Sequence, residues 1–205
     1  MRGAGAHPAS SERLILRRWR EDDLAPFAAI NADATVMEHF PATLSTRESA
    51  ELVGRIERGF ECDGFGLWAL ELPGEAPFIG FTGLARVRDD IPLAPAVELA
   101  WRLARPFWGR GLASEAAHVA ARIGFEDAGL RELVAYTYSG NARSRGVMER
   151  LGMVHDPADD FAYPGLAPGH PLAPHVVYRI DAARWRTGRL GACADATPTP
   201  RGPLN

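Results

Sequence analysis

The sequence predicts one mixed α/β (α+β) domain, and three observations predict it. Strand-like and helix-like segments follow in the order strand, two helices, three strands, helix, strand, helix, two strands. One of these strands, Pro95 to Leu103, runs into a turn holding Gly109 and Gly111, and a helical pattern starts at once. The 205 residues are 46% hydrophobic and 24% charged, a composition that supports a single soluble core.

Taken in order, Glu12 to Trp19 reads as a first strand, apolar in the middle and charged at both ends. Asp22 or Asp23 is placed to cap a helix carrying Leu24, Phe27, Ala28 and Ile30. Ser45 with Glu48 three residues on forms a capping-box pattern for a second helix holding Ala50, Val53 and Ile56. Gly64–Leu72 and Phe78–Leu84 are expected as antiparallel strands around the turn Pro73-Gly74-Glu75-Ala76. After the glycine turn, Leu112, Ala116, Val119 and Ile123 recur at helical spacing, with Ala113, Ala117 and Ala120 keeping that face small. Leu133–Tyr138 is a further strand. A helix opened by Ser139-Gly140-Asn141 runs to Arg150 and stops at Gly152. Met153-Val154-His155 starts a short strand, Asp156–His170 is a Pro/Gly/Asp loop, and His175–Ile180 is the last strand. Residues 1–11 and 185–205 are expected to be disordered tails around a domain spanning 12–184.

A net charge of −3 gives no basic face for nucleic acid. All 23 basic residues are arginine, which speaks of a GC-rich genome more than of a function. The two cysteines, Cys62 and Cys193, provide no disulfide framework and fit a reducing cytoplasm. Met1–Ser11 lacks the apolar core of a signal peptide, and no apolar run approaches the ~20 residues that span a bilayer. A cytoplasmic protein with no membrane partner is expected.

Glycines between a strand and a helix let the backbone approach a ligand closely, and the first-turn N–H groups of the helix form an anion site. Arg110, between the two glycines, adds a positive charge. The turn is therefore a candidate phosphate or pyrophosphate cradle. It is not a P-loop, because Gly-x-x-x-x-Gly-Lys-Ser/Thr is absent, and Ser114 stands where a dinucleotide fingerprint needs Gly or Ala. Trp108 to Ala116 reads Trp-Gly-Arg-Gly-Leu-Ala-Ser-Glu-Ala. This resembles the acyl-CoA signature of the GNAT N-acetyltransferases, particularly the RimJ/RimL-type branch, whose form is Trp-Gly-x-Gly-x-Ala-x-Glu-Ala. Where the wider superfamily begins the motif with Gln or Arg, this chain has Pro106, with Arg105 one position earlier. Asn141 to Met153 is similar to a second family element, Asn-x-x-Ser…Glu-x-Leu-Gly-Phe, with Met153 in the aromatic place.

The resemblance covers roughly Glu12 to Arg184. It implies a mixed, mainly antiparallel central sheet of about seven strands flanked by about four helices, splayed between the fourth and fifth strands to admit the cofactor arm. It implies acetyl-CoA as co-substrate, no metal, and transfer to a primary amine by direct attack. The acceptor would be a protein N-terminus or a small molecule, and the protein a monomer or homodimer. Cofactor contacts are implied for Leu103, Trp108, Gly109, Arg110, Gly111, Leu112, Ala113 and Asn141. The tyrosine that many members use as an acid is replaced by Met148; the resemblance to RimL-type members, which have a serine near the sulfur three residues after the asparagine, implies that role for Ser144.

Glu98 is the candidate general base, lying in an apolar strand that enters the cleft; a strand-face salt bridge with Arg102 is the alternative. Asp159 and Asp160 are candidates to recognise a cationic amine. His155, Asp156, His170 and His175 fit no standard metal spacing. Arg143 and Arg145 either contact phosphates or stay solvated, and Trp68 and Trp101 are expected in the core. A catalytically silent acyl-CoA-binding module is the alternative function.

Overall fold

The computed structural model describes residues 8–167 and 169–194. Among them are nine strands: β1 (Ala9–Ser10), β2 (Ile15–Arg17), β3 (Leu67–Leu72), β4 (Ala76–Arg86), β5 (Val97–Leu103), β6 (Glu132–Tyr138), β7 (Val154–His155), β8 (Phe161–Ala162) and β9 (Pro174–Asp181). The helices are α1 (Leu24–Ala32), α2 (Thr46–Asp63), α3 (Leu112–Arg122), α4 (Ala142–Arg150) and α5 (Ala182–Ala194). The sheet runs β1-β2-β3-β4-β5-β6-β9-β7, with β8 also on β9. Every pairing is antiparallel except β5 with β6, which are parallel and in register at Glu98 and Val134. Beyond that pair the two strands part, so the sheet is two antiparallel halves joined at one point.

Side-chain alternation gives each face its own core. Leu112, Ala116, Val119 and Ala120 of α3 pack with Leu70, Leu99, Leu133 and Val176. On the other face Phe27 and Ile30 of α1 and Val53 of α2 pack with Ala69 and Phe81, which oppose each other across β3 and β4. The α3 spacing holds, since Leu112, Ala116, Val119 and Ile123 are all buried. The Ser45–Glu48 box is formed in both directions at the start of α2, and Gly64, at φ 75°, ends that helix.

Several local expectations need correction. Asp23 does not cap α1. Its carboxylate accepts the Arg20 N–H at 2.7 Å and a fork from the Arg17 guanidinium at 2.7 and 2.9 Å, with both side chains almost fully buried. Arg17 also reaches Glu71 at 2.8 Å and the Pro77 carbonyl at 2.6 Å. The sequence pattern hides this pair because Arg17 sits at the charged end of an apparent surface strand.

The ordered chain also extends further than 12–184. β1 pairs with β2, and the last helix carries a buried Trp185 against the rings of His118 and Phe125, at 4.6 and 5.6 Å between centroids. The composition of the following residues concealed this aromatic anchor. Residues 195–205 and most of the expected N-terminal tail lie outside the described residues. Two-residue strands such as β1 and β8 carry no readable alternation, which explains nine strands where about seven were expected.

Candidate active site

A cleft of about 1080 Å³ opens where β5 and β6 part. The segment between α1 and α2, with Val36, His39 and Phe40, walls one side, and Tyr163, Leu166 and Leu172, before β9, wall another. The glycine turn lies at its far end. No helix among the described residues is long and apolar enough to cross a membrane.

Gly109 and Gly111 both adopt left-handed backbone, at φ 71° and 78°, which a side chain would strain. Gly111 is the N-cap of α3 and no side chain caps the helix, so its first-turn amides remain free to meet an anion. The turn is anchored from both directions. Trp108 Nε1 donates to the Leu103 carbonyl at 2.8 Å, tying it to the end of β5. Arg13 donates to Glu115 in the first turn of α3 at 2.7 Å and to the Arg110 carbonyl at 3.1 Å, and the Ser11 hydroxyl adds 2.6 Å to the same carboxylate.

Of the residues expected to hold the cofactor, Leu103, Trp108, Gly109, Gly111, Leu112, Ala113 and Asn141 all line the cleft. Arg110 does not. Its guanidinium forks onto Glu75 at 2.6 and 2.7 Å, away from the cleft, because that carboxylate in the β3–β4 turn is within reach of an exposed side chain. Arg143 and Arg150 occupy the cleft edge instead. Arg143 lies 4.9 Å over the Trp108 ring and pairs with Glu38 at 2.7 Å, and Arg150 donates to Ser114 at 2.9 Å. Arg145 is engaged by Tyr178 and the Ser139 carbonyl.

Glu98 stands on the wall of the cleft at the joint between β5 and β6. Burial pushes its carboxyl up to about 7, against the opposing pull of a hydrogen bond from Tyr136 and the charges of Arg88 and Arg102. Tyr136 is itself driven well above the usual phenol range, first by burial and then by the Glu98 charge, so it is a hydrogen-bond donor at neutral pH. The alternative salt bridge between Glu98 and Arg102 is not formed. Tyr136 was missed at the sequence level. It is two residues beyond Val134, the partner of Glu98, and so shares its face; the signal needed was the register of two strands far apart in sequence.

On α4, the Asn141 carbonyl caps the helix by accepting the Ser144 N–H at 3.1 Å, while its amide donates to Thr137 at 3.0 Å. The half-buried Ser144 lines the cleft, with Met148 buried one turn on. Asp159 and Asp160 are not in the cleft wall. Asp159 pairs with Arg179 at 2.5 Å, and Asp160 with His155 at 2.9 Å and the Val177 N–H at 3.2 Å, so both carboxylates hold the loop to β9. Among the described residues no group of three His, Cys, Asp or Glu side chains is arranged to hold a metal. Trp68 is core as expected, whereas half-buried Trp101 borders the cleft.

Comparison with known proteins agrees with this geometry. The chain is 29% identical over 144 residues to the uncharacterized protein YkkB of Bacillus subtilis, covering 70% of this chain and 83% of that one. It is 36% identical over 130 residues to the FsC-acetyl coenzyme A-N(2)-transacetylase of Aspergillus fumigatus, covering 60% of this chain and about half, 52%, of that longer protein. The crystal structure of an acetyltransferase from Agrobacterium tumefaciens superposes with a TM-score of 0.69 at 26% identity, covering 85% of this chain and 94% of that one. Residues 13–154 match the family described as the acetyltransferase (GNAT) domain. With a parted sheet, a glycine turn at the start of α3 and a family match over most of its length, the chain belongs to the GNAT acetyltransferases.

Proposed function

We propose that this protein is an N-acetyltransferase of the RimJ/RimL type that moves the acetyl group of acetyl-CoA to a primary amine by direct attack. The observation that carries the reading is Glu98. A carboxyl raised to about 7 lines the same cleft as an uncapped, glycine-started helix. A base with that pKa is matched to removing the proton of an attacking amine near neutral pH.

The residues present fit the co-substrate. The free amides after Gly109 and Gly111 suit a pyrophosphate, and the unpaired edges of β5 and β6 suit an extended polar arm. Bound acetyl-CoA supplies the activated acyl group. Around it, Glu98 takes the amine proton directly or through water, with Tyr136 holding the carboxylate in place. Ser144, which lines the cleft on α4, donates a hydrogen bond to the departing thiolate in this reading, since Met148 stands where a tyrosine would be. The acceptor enters between the α1–α2 segment and the segment before β9.

The test is acetyl-CoA-dependent thiol release against a panel of N-terminal peptides and small amines. Release with an acceptor is expected and separates protein from metabolite substrates. Acetyl-CoA binding with no release across the panel favours the silent binding module.

Gly111→Asp tests the cradle. An aspartate is strained at this left-handed position but tolerates it better than most residues, and its Cβ meets only the far end of the Arg13 side chain, so the fold is expected to hold. Its charge occupies the place of the pyrophosphate. The dissociation constant for CoA, read by calorimetry, is expected to rise roughly 100-fold or more, about 3 kcal/mol. Unchanged affinity removes the glycine turn from the cofactor site.

A further inference from the structure

The cleft contains a charge for which the proposed transfer has no use. Arg102 is on β5, four residues beyond Glu98 on the same face, with only the small Ala100 between them. Its Nη1 donates to the Asn31 carbonyl oxygen at 2.6 Å, and its guanidinium carbon lies 4.4 Å from the Phe40 ring centre and 5.5 Å from that of Phe81. Its buried Nε has no hydrogen-bond partner. Asn31 is fully buried and fixed by its own bond to Ser49 at 3.0 Å, so the guanidinium is held by groups that need no ligand.

The other arginines of the cleft are neutralised or wet. Arg86 pairs with Asp63, Arg88 forks onto Asp90, Arg143 pairs with Glu38, and Arg55 and Arg150 are exposed. Arg102 stands in no ion pair among the described residues: a neutral amide and two aromatic faces touch it, and the Glu98 charge acts on it only from beyond contact distance. Burial lowers its pKa to about 10, which leaves it a cation at neutral pH. A desolvated charge with no counterion in contact is costly in the free protein, and an anion delivered by a ligand recovers part of that cost. The guanidinium fork favours a planar or tetrahedral oxyanion.

We propose that Arg102 anchors an acidic group, a carboxylate or a phosphate, on the acceptor, so that the substrate is an amine that is also an acid. This rests on the acetyl-transfer reading of the cleft, and it defines the substrate class within it. The amine is presented at Glu98 and the acidic end at Arg102, with the Phe40, Phe81 and Tyr163 rings flanking the body between.

The experiment separates the two readings by measuring binding and turnover independently. Hexanoate, hexyl phosphate and hexanamide are titrated by NMR into the CoA-loaded full chain. At least one of the two acids is expected to bind about 10-fold or more tightly than hexanamide, and the tighter acid identifies the group. Arg102→Gln is expected to bring that acid within about twofold of hexanamide, and Arg102→Lys to keep a preference. In turnover, the ratio of kcat/KM for the amine bearing the tighter acid, 6-aminohexanoate or 6-aminohexyl phosphate, over hexylamine is expected to fall by the same factor in Arg102→Gln. Equal binding of all three probes to the wild type overturns the anion site whether or not amines are acetylated. A preference untouched by Arg102→Gln, in protein that still binds CoA, overturns the assignment to Arg102. Acid binding without acetylation of any amine leaves the anion site standing and removes the transferase reading.

Discussion

Glu98→Gln is expected to lower kcat by roughly two to four orders of magnitude at pH 8, the range over which a positioned general base contributes. The wild-type profile fixes the sign. With its carboxyl raised to about 7, Glu98 is protonated and inactive as a base at pH 6 and ionised at pH 8. Wild-type kcat therefore climbs with pH and levels off above about 7. In the glutamine variant this climb is lost, and the two enzymes differ least at low pH. Stability moves the other way. The folded-state pKa is raised, so ionising Glu98 opposes folding; the penalty is absent below the unfolded value, grows from there to about 7, and is fully present above it. Glu98→Gln is thus expected to melt higher than the wild type at pH 8 and to match it near pH 4. An inactive variant that melts higher excludes unfolding as the cause. A variant keeping the wild-type profile removes Glu98 from the reaction.

The second large effect is structural. Asp23→Ala is expected to cost roughly 3–5 kcal/mol, because it leaves the buried Arg17 guanidinium without its forked partner. For a domain of this size that is a fall of roughly 6–20 °C in Tm. Glu71 remains on the Nε side of Arg17, but it is partly exposed and touches only one edge of the fork. The double variant Arg17→Met/Asp23→Leu is expected to recover most of the loss, since apolar side chains of similar volume replace a buried ion pair well. Thermal melts of the three variants check this. A single variant within 1 °C of the wild type, roughly a third of a kcal/mol, shows that the pair does not support the fold.

Much of the fold was legible because its elements carry local signals. The Ser45–Glu48 box, the four-three-four spacing of α3 and the glycine stops after α2 and α4 each depend on residues within a few positions. The glycine turn before α3 and the place of Glu98 on a strand entering the cleft were legible from the same kind of local pattern. What was not legible depends on register between distant strands. Tyr136 meets Glu98 only because Val134 is its partner, and Arg17 is buried only because Asp23 and Pro77 fold over it. The side chains of Arg110, Asp159 and Asp160 show the converse, since they point away from the cleft to other partners. Charged residues beside a motif invite a ligand role, but here nearby partners engage them: Glu75 for Arg110, Arg179 for Asp159 and His155 for Asp160.

The lone parallel pair between Glu98 and Val134 has a mechanical consequence. It is the rung at which two separate hydrogen-bonded blankets are stitched, and the residue at the stitch is also the proposed base. Whatever fills the gap beyond it spans both blankets, so occupancy and cohesion are coupled by mass action. A ligand that bridges the two halves is therefore expected to tie them together around the proposed base and to raise Tm with its concentration.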